Sequence, residues 1–280
     1  MRRRYADYTV LPDPKMRRWL VAGMRSVRHK PMIHGLIEVD ISKARGDIGD
    51  HKAKTGESLS LTAFIIACLG KAVDENKSVQ AFRKGNNHLV LFEEVDVYTL
   101  IERNVAGQME PIPYIVRAAN RKTPQQLHHE IRAAQAQGAE EGLKVLQFAP
   151  DLLFGAFLWA FTRVGRRHPR VWKKYVGTVG VTAIGMFGEG AGWGIPPPLP
   201  TPMLTVGGIG EKPVVIDGRL ATREYLSLTV SFDHAMIDGA PAARFTKRLK
   251  ELIESGYGLP DSSLVSEPPA STTPAAGGRS

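Results

Sequence analysis

Along EYLSLTVSF (224–232), apolar and polar side chains alternate: Leu226, Leu228, Val230 and Phe232 against Ser227, Thr229 and Ser231. A period of two puts each set on its own face of a β-strand. GTVGVTAIG (177–185) alternates as well, with Val179 and Val181 opposite Thr178, Gly180 and Thr182. HGLIEVDIS (34–42) divides Leu36, Glu38 and Asp40 from Ile37, Val39 and Ile41, again a strand. HLVLFEEVDVYTLIE (88–102) is rich in strand formers and predicts a hairpin folded about Glu93 and Glu94.

Helical spacing marks other segments. PKMRRWLVAGMRSVR (14–28) places Leu20, Met24 and Val27 on one face. SLTAFIIACLGKAVDEN (60–76) is apolar nearly all round, which predicts a buried helix. TPQQLHHEIRAAQAQ (123–137) opens on Thr123 as cap and Pro124 at the first helical position, with Leu127, Ile131 and Ala134 as its core stripe. After Gly239, Ala240 and Pro241, a last helix buries Phe245, Leu249, Leu252 and Ile253 and stops at Gly256. GEGAGWGIPPPLPTPM between the late strands is loop, and GGIGEK (207–212) reads as a turn, lacking the glycine spacing of a phosphate loop.

Composition narrows the classes. At 280 residues, 43% hydrophobic and 23% charged, the chain suffices for one large domain or two small ones with a substantial core. The lone cysteine, Cys68, excludes a disulfide framework and a cysteine metal site, and within LTAFIIACLG it reads as a core residue. His128 and His129 are adjacent and point to different faces, so no metal is expected there. A formal charge of +9 suits anionic partners, with a local basic run in RVGRRHPRVWKK (163–174). No zinc-finger spacing or RNA-recognition signature accompanies it, so nucleic acid is not expected. LLFGAFLWAFTRV (152–164) is too short to span a bilayer, which takes about 20 residues, and reads as a core or oligomer-contact helix. With the basic run behind it, a membrane-surface role is an alternative. MRRRYADYTVLPDP has no apolar core of a secretory signal, so a cytoplasmic protein is the simplest expectation. The expected layout is an extension over 1–13, a domain over 14–257 and a disordered tail over 258–280 rich in Pro, Ser and Ala.

Chemistry concentrates in SFDHAMIDGAPAARF (231–245), where His234 precedes Asp238-Gly239 by four residues. If the strand runs two residues past Phe232, His234 shares an apolar face with Val230 and Phe232, where the neutral, base-competent imidazole is favoured. The competing reading is structural. Asp238 stands before a helix N-terminus, where a carboxylate satisfies loose amides, and a histidine in such a turn serves the backbone.

YLSLTVSFDHAMIDGAPAARFTKRLKELIE closely resembles the end of the catalytic domain of the 2-oxoacid dehydrogenase acyltransferases (dihydrolipoamide acyltransferases), in the chloramphenicol acetyltransferase-like superfamily. GTVGVTAIGMFG, TPMLTVGGIGEKPVVIDGRL, MRRWLVAGMRSVRHKPMIHGLIEVDIS and MEPIPYIVRAANRKTPQQL resemble other parts of that domain in order, while 140–175 matches poorly. The resemblance implies an α/β (α+β) two-layer fold, a mixed sheet flanked by helices, assembled as a homotrimer and in some members a larger cage. It implies direct acyl transfer between coenzyme A and a thiol or other nucleophile. His234 would be the general base, its other ring nitrogen held by its own carbonyl. Thr182 of the neighbouring subunit would donate to the oxyanion, and Asp238 would sit in an ion pair with Arg17 or Arg18. With no lipoyl segment in this sequence, the carrier is expected to be a separate lipoyl protein or a small molecule. Ala183 departs from the family's Asn or Ser, and no Asp-Arg-Gly pattern precedes Pro111. The contrasting reading is a non-catalytic trimeric scaffold.

Overall fold

Strand β10 (Arg219–Asp233) is the centre of one side of a six-stranded sheet, paired antiparallel to β3 (Met32–Asp40) on one flank and to β9 (Met203–Ile216) on the other. The computed structural model describes residues 30–260 apart from 86, 106–107, 138–159, 161–162, 166, 185–189 and 198–199, together with 3–4, 7–11, 13, 18, 21 and 24. Beyond β9 come β8 (Val179–Ala183), β6 (Val97–Val105) and β7 (Gln108–Val116), giving the order β3-β10-β9-β8-β6-β7. The β9–β8 and β8–β6 pairs are parallel and the β6–β7 pair antiparallel, so the sheet is mixed. Two small ribbons stand apart: β1 (Arg3–Arg4) with β2 (Thr9–Val10), and β4 (Phe82–Lys84) with β5 (His88–Val90).

The helices are α1 (Ser42–Thr55), α2 (Leu61–Glu75), α3 (Pro124–Ala136), α4 (Pro169–Val176) and α5 (Gly239–Glu254). Leu226, Leu228, Val230 and Phe232 of β10 share one buried core with Phe64, Ile65, Cys68 and Leu69 of α2, Leu127 and Ile131 of α3, and Phe245, Leu249 and Ile253 of α5. The alternation along 224–232 thus sets the helix-facing side of the sheet, and Phe232 meets Phe245 edge-to-face at 5.8 Å between ring centroids. Cys68 is fully buried, and burial pushes its thiol pKa up. Thr123 and Gln126 form the reciprocal capping box that starts α3: Thr123 Oγ1 accepts from Gln126 N at 3.3 Å and Gln126 Oε1 from Thr123 N at 3.0 Å.

Two local expectations change. There is no hairpin about Glu93 and Glu94, because β5 pairs with β4 and β6 with β7. The acids are drawn to cations instead, Glu93 to Lys77 and Glu94 to Lys173 at 3.1 Å and Arg121 at 3.4 Å, which leads the chain across rather than back. GGIGEK is no turn but the middle of β9. There Gly207 and Gly208 oppose the single residue Ser227 between the Leu226–Ile209 and Leu228–Val206 pairs, a β-bulge. A Cβ on either glycine would stand 2.1 Å or less from the carbonyl oxygens of Gly192 and Gly190, so the close backbone approach demands glycine. Two elements carried little signal: α1 buries only Ala44 and Asp47, and β7 contains Pro111 and Pro113. Those prolines are tolerated because β7 is an edge strand. The helix expected over 14–28 and the tail from 261 onward fall largely outside the described residues, as does most of 152–164.

His128 is buried and ties α3 to the start of α2, its Nδ1 accepting from Ser60 N at 3.0 Å. His129 on the neighbouring face is exposed and lies 3.3 Å from Glu57. Burial, and secondarily the Arg132 guanidinium, holds the His128 pKa below its ordinary 6.5, with Glu57 opposing. The unfolded chain therefore binds the extra proton first, and stability is lost as the pH falls below about 6.5. Urea unfolding midpoints at pH 7.5 and 5.5 should differ more for the wild type than for His128→Gln, which keeps an acceptor for Ser60. Phe245→Ala should cost about 3–5 kcal/mol in the same assay at pH 7.5.

Candidate active site

Pairing of β10 ends at Asp233↔Met32, and His234 occupies the turn that follows. The strand stops one residue short of the expected extension, so His234 does not lie on the apolar face. Its side chain is 47% accessible. The turn is closed by its own polar groups. Asp233 Oδ1 accepts from Ala235 N at 3.1 Å, and the Asp233 carbonyl accepts from Met236 N and Ile237 N at 2.9 and 3.1 Å. His234 N donates to the Pro31 carbonyl at 2.7 Å, fixing the backbone of the histidine to the residue before β3. Ile237 then drops into the core and α5 begins.

Asp238 is the N-cap residue of α5, with its carbonyl accepting from Ala242 N at 3.1 Å, but its side chain makes no capping bond. The carboxylate is 88% accessible, and Oδ1 lies 3.9 Å from His234 Nδ1. The structure thus sets Asp238 beside the histidine rather than over the helix amides. Arg18 Nη1 donates to the Asp13 carbonyl at 2.9 Å, and Arg17 lies outside the described residues.

Thr182 stands half-buried on β8, in register with Thr205 of β9, which in turn pairs with Thr229 of β10 and so with Leu36 of β3. These residues share the sheet face opposite the helices. Thr205 and Thr229 are buried there, and among the described residues their hydroxyls have no hydrogen-bond partner. Segment 190–197 covers part of this face: Gly192 N donates to Ser227 Oγ at 3.2 Å and Trp193 Nε1 to the Ile37 carbonyl at 3.1 Å. The approach to β8 is anchored by buried Asp96. Its carbonyl accepts from Thr178 N at 2.8 Å, and its carboxylate accepts from Ala118 N at 3.0 Å and from Arg117 at 2.7 Å. Arg117 also donates to the carbonyls of Lys173 and Lys174, closing the C-terminus of α4 with part of the basic run.

Register keeps Thr182 and His234 apart within one chain. Two strand spacings and five residues along β10 separate them, roughly 20 Å from strand geometry. At that separation one small reacting group cannot touch both side chains within a single copy.

Residues 173–259, which hold both Thr182 and His234, match the family described as 2-oxoacid dehydrogenases acyltransferase (catalytic domain). That match is confined to the C-terminal part of the chain. The lipoamide acyltransferase component of the branched-chain alpha-keto acid dehydrogenase complex of Bacillus subtilis is 25% identical over 251 residues, covering 88% of this chain and 52% of that protein. The dihydrolipoyllysine-residue succinyltransferase component of the Saccharomyces cerevisiae 2-oxoglutarate dehydrogenase complex is 36% identical over 78 residues, 28% of this chain and 17% of that one. The chain therefore spans about half of the first relative's length and under a fifth of the second's. A probable dihydrolipoamide acetyltransferase from Listeria monocytogenes superposes with a TM-score of 0.66 at 21% identity, over 90% of this chain and 96% of that one. A truncated 2-oxoacid dehydrogenase catalytic core from Thermoplasma acidophilum does so with a TM-score of 0.62 at 18% identity, over 89% and 99%. These likenesses show that the mixed sheet with flanking helices is the fold of such acyltransferase cores. Among the described residues, no helix is long and apolar enough to cross a membrane.

Proposed function

We propose that residues 14–257 form a coenzyme A-dependent acyltransferase domain that moves an acyl group between coenzyme A and a thiol by direct transfer. The reading is carried by one observation: the family match spans the exposed His234 at the end of β10 and the half-buried Thr182 on β8. Nδ1 of His234 is the nitrogen beside Asp238, which leaves Nε2 to take the proton of the attacking thiol. The sulfur adds to the thioester carbonyl, and its oxygen, now negative, accepts from Thr182 Oγ1. As the carbonyl re-forms, the bond to the coenzyme A sulfur breaks and the imidazolium returns the proton to it. Dihydrolipoyl groups are the natural acceptor class, since the relatives are named for them.

The spacing of Thr182 and His234 supports a site built between two copies, and a closed homotrimer is the assembly we propose. The hydroxyl face of the sheet, with Ile184, Trp193 and Ile195 exposed beside it, supports this as the face that meets the neighbour. A cage of trimers is a further level of the same proposal.

With acetyl-CoA and dihydrolipoamide, His234→Ala should lose about 10²–10⁴-fold in kcat. Thr182→Ala should lose about 10²–10³-fold, and Thr182→Ser should remain close to wild type. Unchanged turnover in His234→Ala would sink the reading. Co-refolding equal amounts of the two inactive variants should restore about a quarter of wild-type activity, because that share of sites in a random trimer pairs an intact His234 with an intact Thr182. A site confined to one chain would give no recovery.

A further inference from the structure

The turn that presents His234 is held from outside by a part of the molecule unrelated to β10. Arg83, on the β4–β5 ribbon, donates from Nη2 to the Ala235 carbonyl at 2.5 Å and from Nε to Met236 Sδ at 3.4 Å. One guanidinium thus grips the two residues that follow the histidine. The ribbon is itself anchored. Phe82, beside Arg83, meets Phe92 edge-to-face at 6.4 Å and Trp172 of α4 at 6.0 Å. From α4 the chain runs directly through Gly177 and Thr178 into β8 and Thr182. Gly177 has φ +79° and lies so close to the Asp96 carbonyl that a Cβ would sit 2.7 Å from it, so little slack exists there.

We infer that Arg83 is a positioning residue for His234, and that the β4–β5 ribbon is a strut that fixes the His234 turn relative to α4 and β8. The Ala235 peptide is the first one beyond the histidine, and the turn's internal bonds use the Asp233 carbonyl and carboxylate but leave the Ala235 carbonyl to Arg83. A charge-assisted bond to that oxygen resists rotation of the peptide and with it the reorientation of the imidazole. Positioning of this kind acts on turnover, since a misaligned base slows proton transfer without altering how coenzyme A is held. The inference rests on the acyl-transfer reading for its kinetic consequence, though not for its structural one.

The test uses the full chain with acetyl-CoA and dihydrolipoamide, together with the histidine ring resonances in NMR. The His234 signal is assigned by its loss in His234→Ala. Arg83→Met keeps the apolar stem and removes the donors. It should lower kcat about tenfold, as loss of one charge-assisted bond would, with the KM for acetyl-CoA unchanged. The His234 signal should shift or broaden while those of the other histidines stay in place. Arg83→Lys, which supplies one donor instead of a fork, should recover part of kcat and move the signal back. A rise in KM with kcat and the resonance unchanged would make Arg83 a binding residue and overturn the inference, as would no change in any of the three. If the wild type transfers no acyl group, the acyl-transfer reading fails, and the resonance alone then decides whether Arg83 positions His234.

Discussion

The antiparallel pairing of β10 with both β3 and β9 is the constraint on which the rest of the structure depends. From Leu226 to Phe232 every second residue of β10 is committed to the helix-facing core, and a slip of one residue would exchange Leu226, Leu228, Val230 and Phe232 for Ser227, Thr229 and Ser231. Register is therefore fixed by burial, and so is the point at which the strand runs out. Pro31 lies just before β3, and its carbonyl takes the His234 amide, so the edge strand also decides where the histidine leaves the sheet. The bulge at Gly207 and Gly208 belongs to the same constraint. It admits an extra residue to β9 while Val206 and Ile209 both stay opposite core residues of β10.

The two faces of this sheet are built on different terms. One is closed by α2, α3 and α5 with aliphatic and aromatic side chains. The other carries a row of hydroxyls, Thr182, Thr205 and Thr229, two of them buried and unpartnered among the described residues. An unpaired buried hydroxyl costs roughly 1–3 kcal/mol, which packing for stability alone would not select. His34 Nδ1 and Ser231 Oγ, 2.8 Å apart, show that hydroxyls on this face readily take partners where one is near. The face is also rimmed by exposed apolar groups, Ile184 at 41%, Trp193 at 42% and Ile195 at 67%. Polar groups in want of partners, framed by apolar surface, are the composition of a face meant to be covered.

What could be read in the sequence was whatever a short window determines. The strands around Val179 and Leu228, the cap at Thr123 and the stripe of α5 each follow from residues within a few positions of one another, and each stands where expected. The misreadings share a physical cause. Glycines at 207 and 208 answer to the backbone of 190–192, Pro111 and Pro113 to an edge position, and Glu93 and Glu94 to lysines and an arginine brought in by folding. His234 was legible as a candidate and its exposure was not, because one further residue of strand would have buried it. Arg83 left no trace at all, since nothing in FRKG points 152 residues ahead to Ala235.

The exposure of His234 and Asp238 bears on how the pair would work. At 3.9 Å and with the carboxylate 88% accessible, the contact lies in high dielectric, where even a full ion pair contributes little. Asp238 then orients the ring only weakly, and the backbone bonds of His234, Ala235 and Met236 carry most of its placement. A neighbouring copy laid over the turn would exclude water from the pair and strengthen it several-fold without moving an atom. On that account, the proposed assembly would do more than bring Thr182 to the opposite side of the substrate. In the proposed trimer it would also shield the exposed imidazole from water, so the proposed chemistry and the proposed oligomer are two aspects of one requirement.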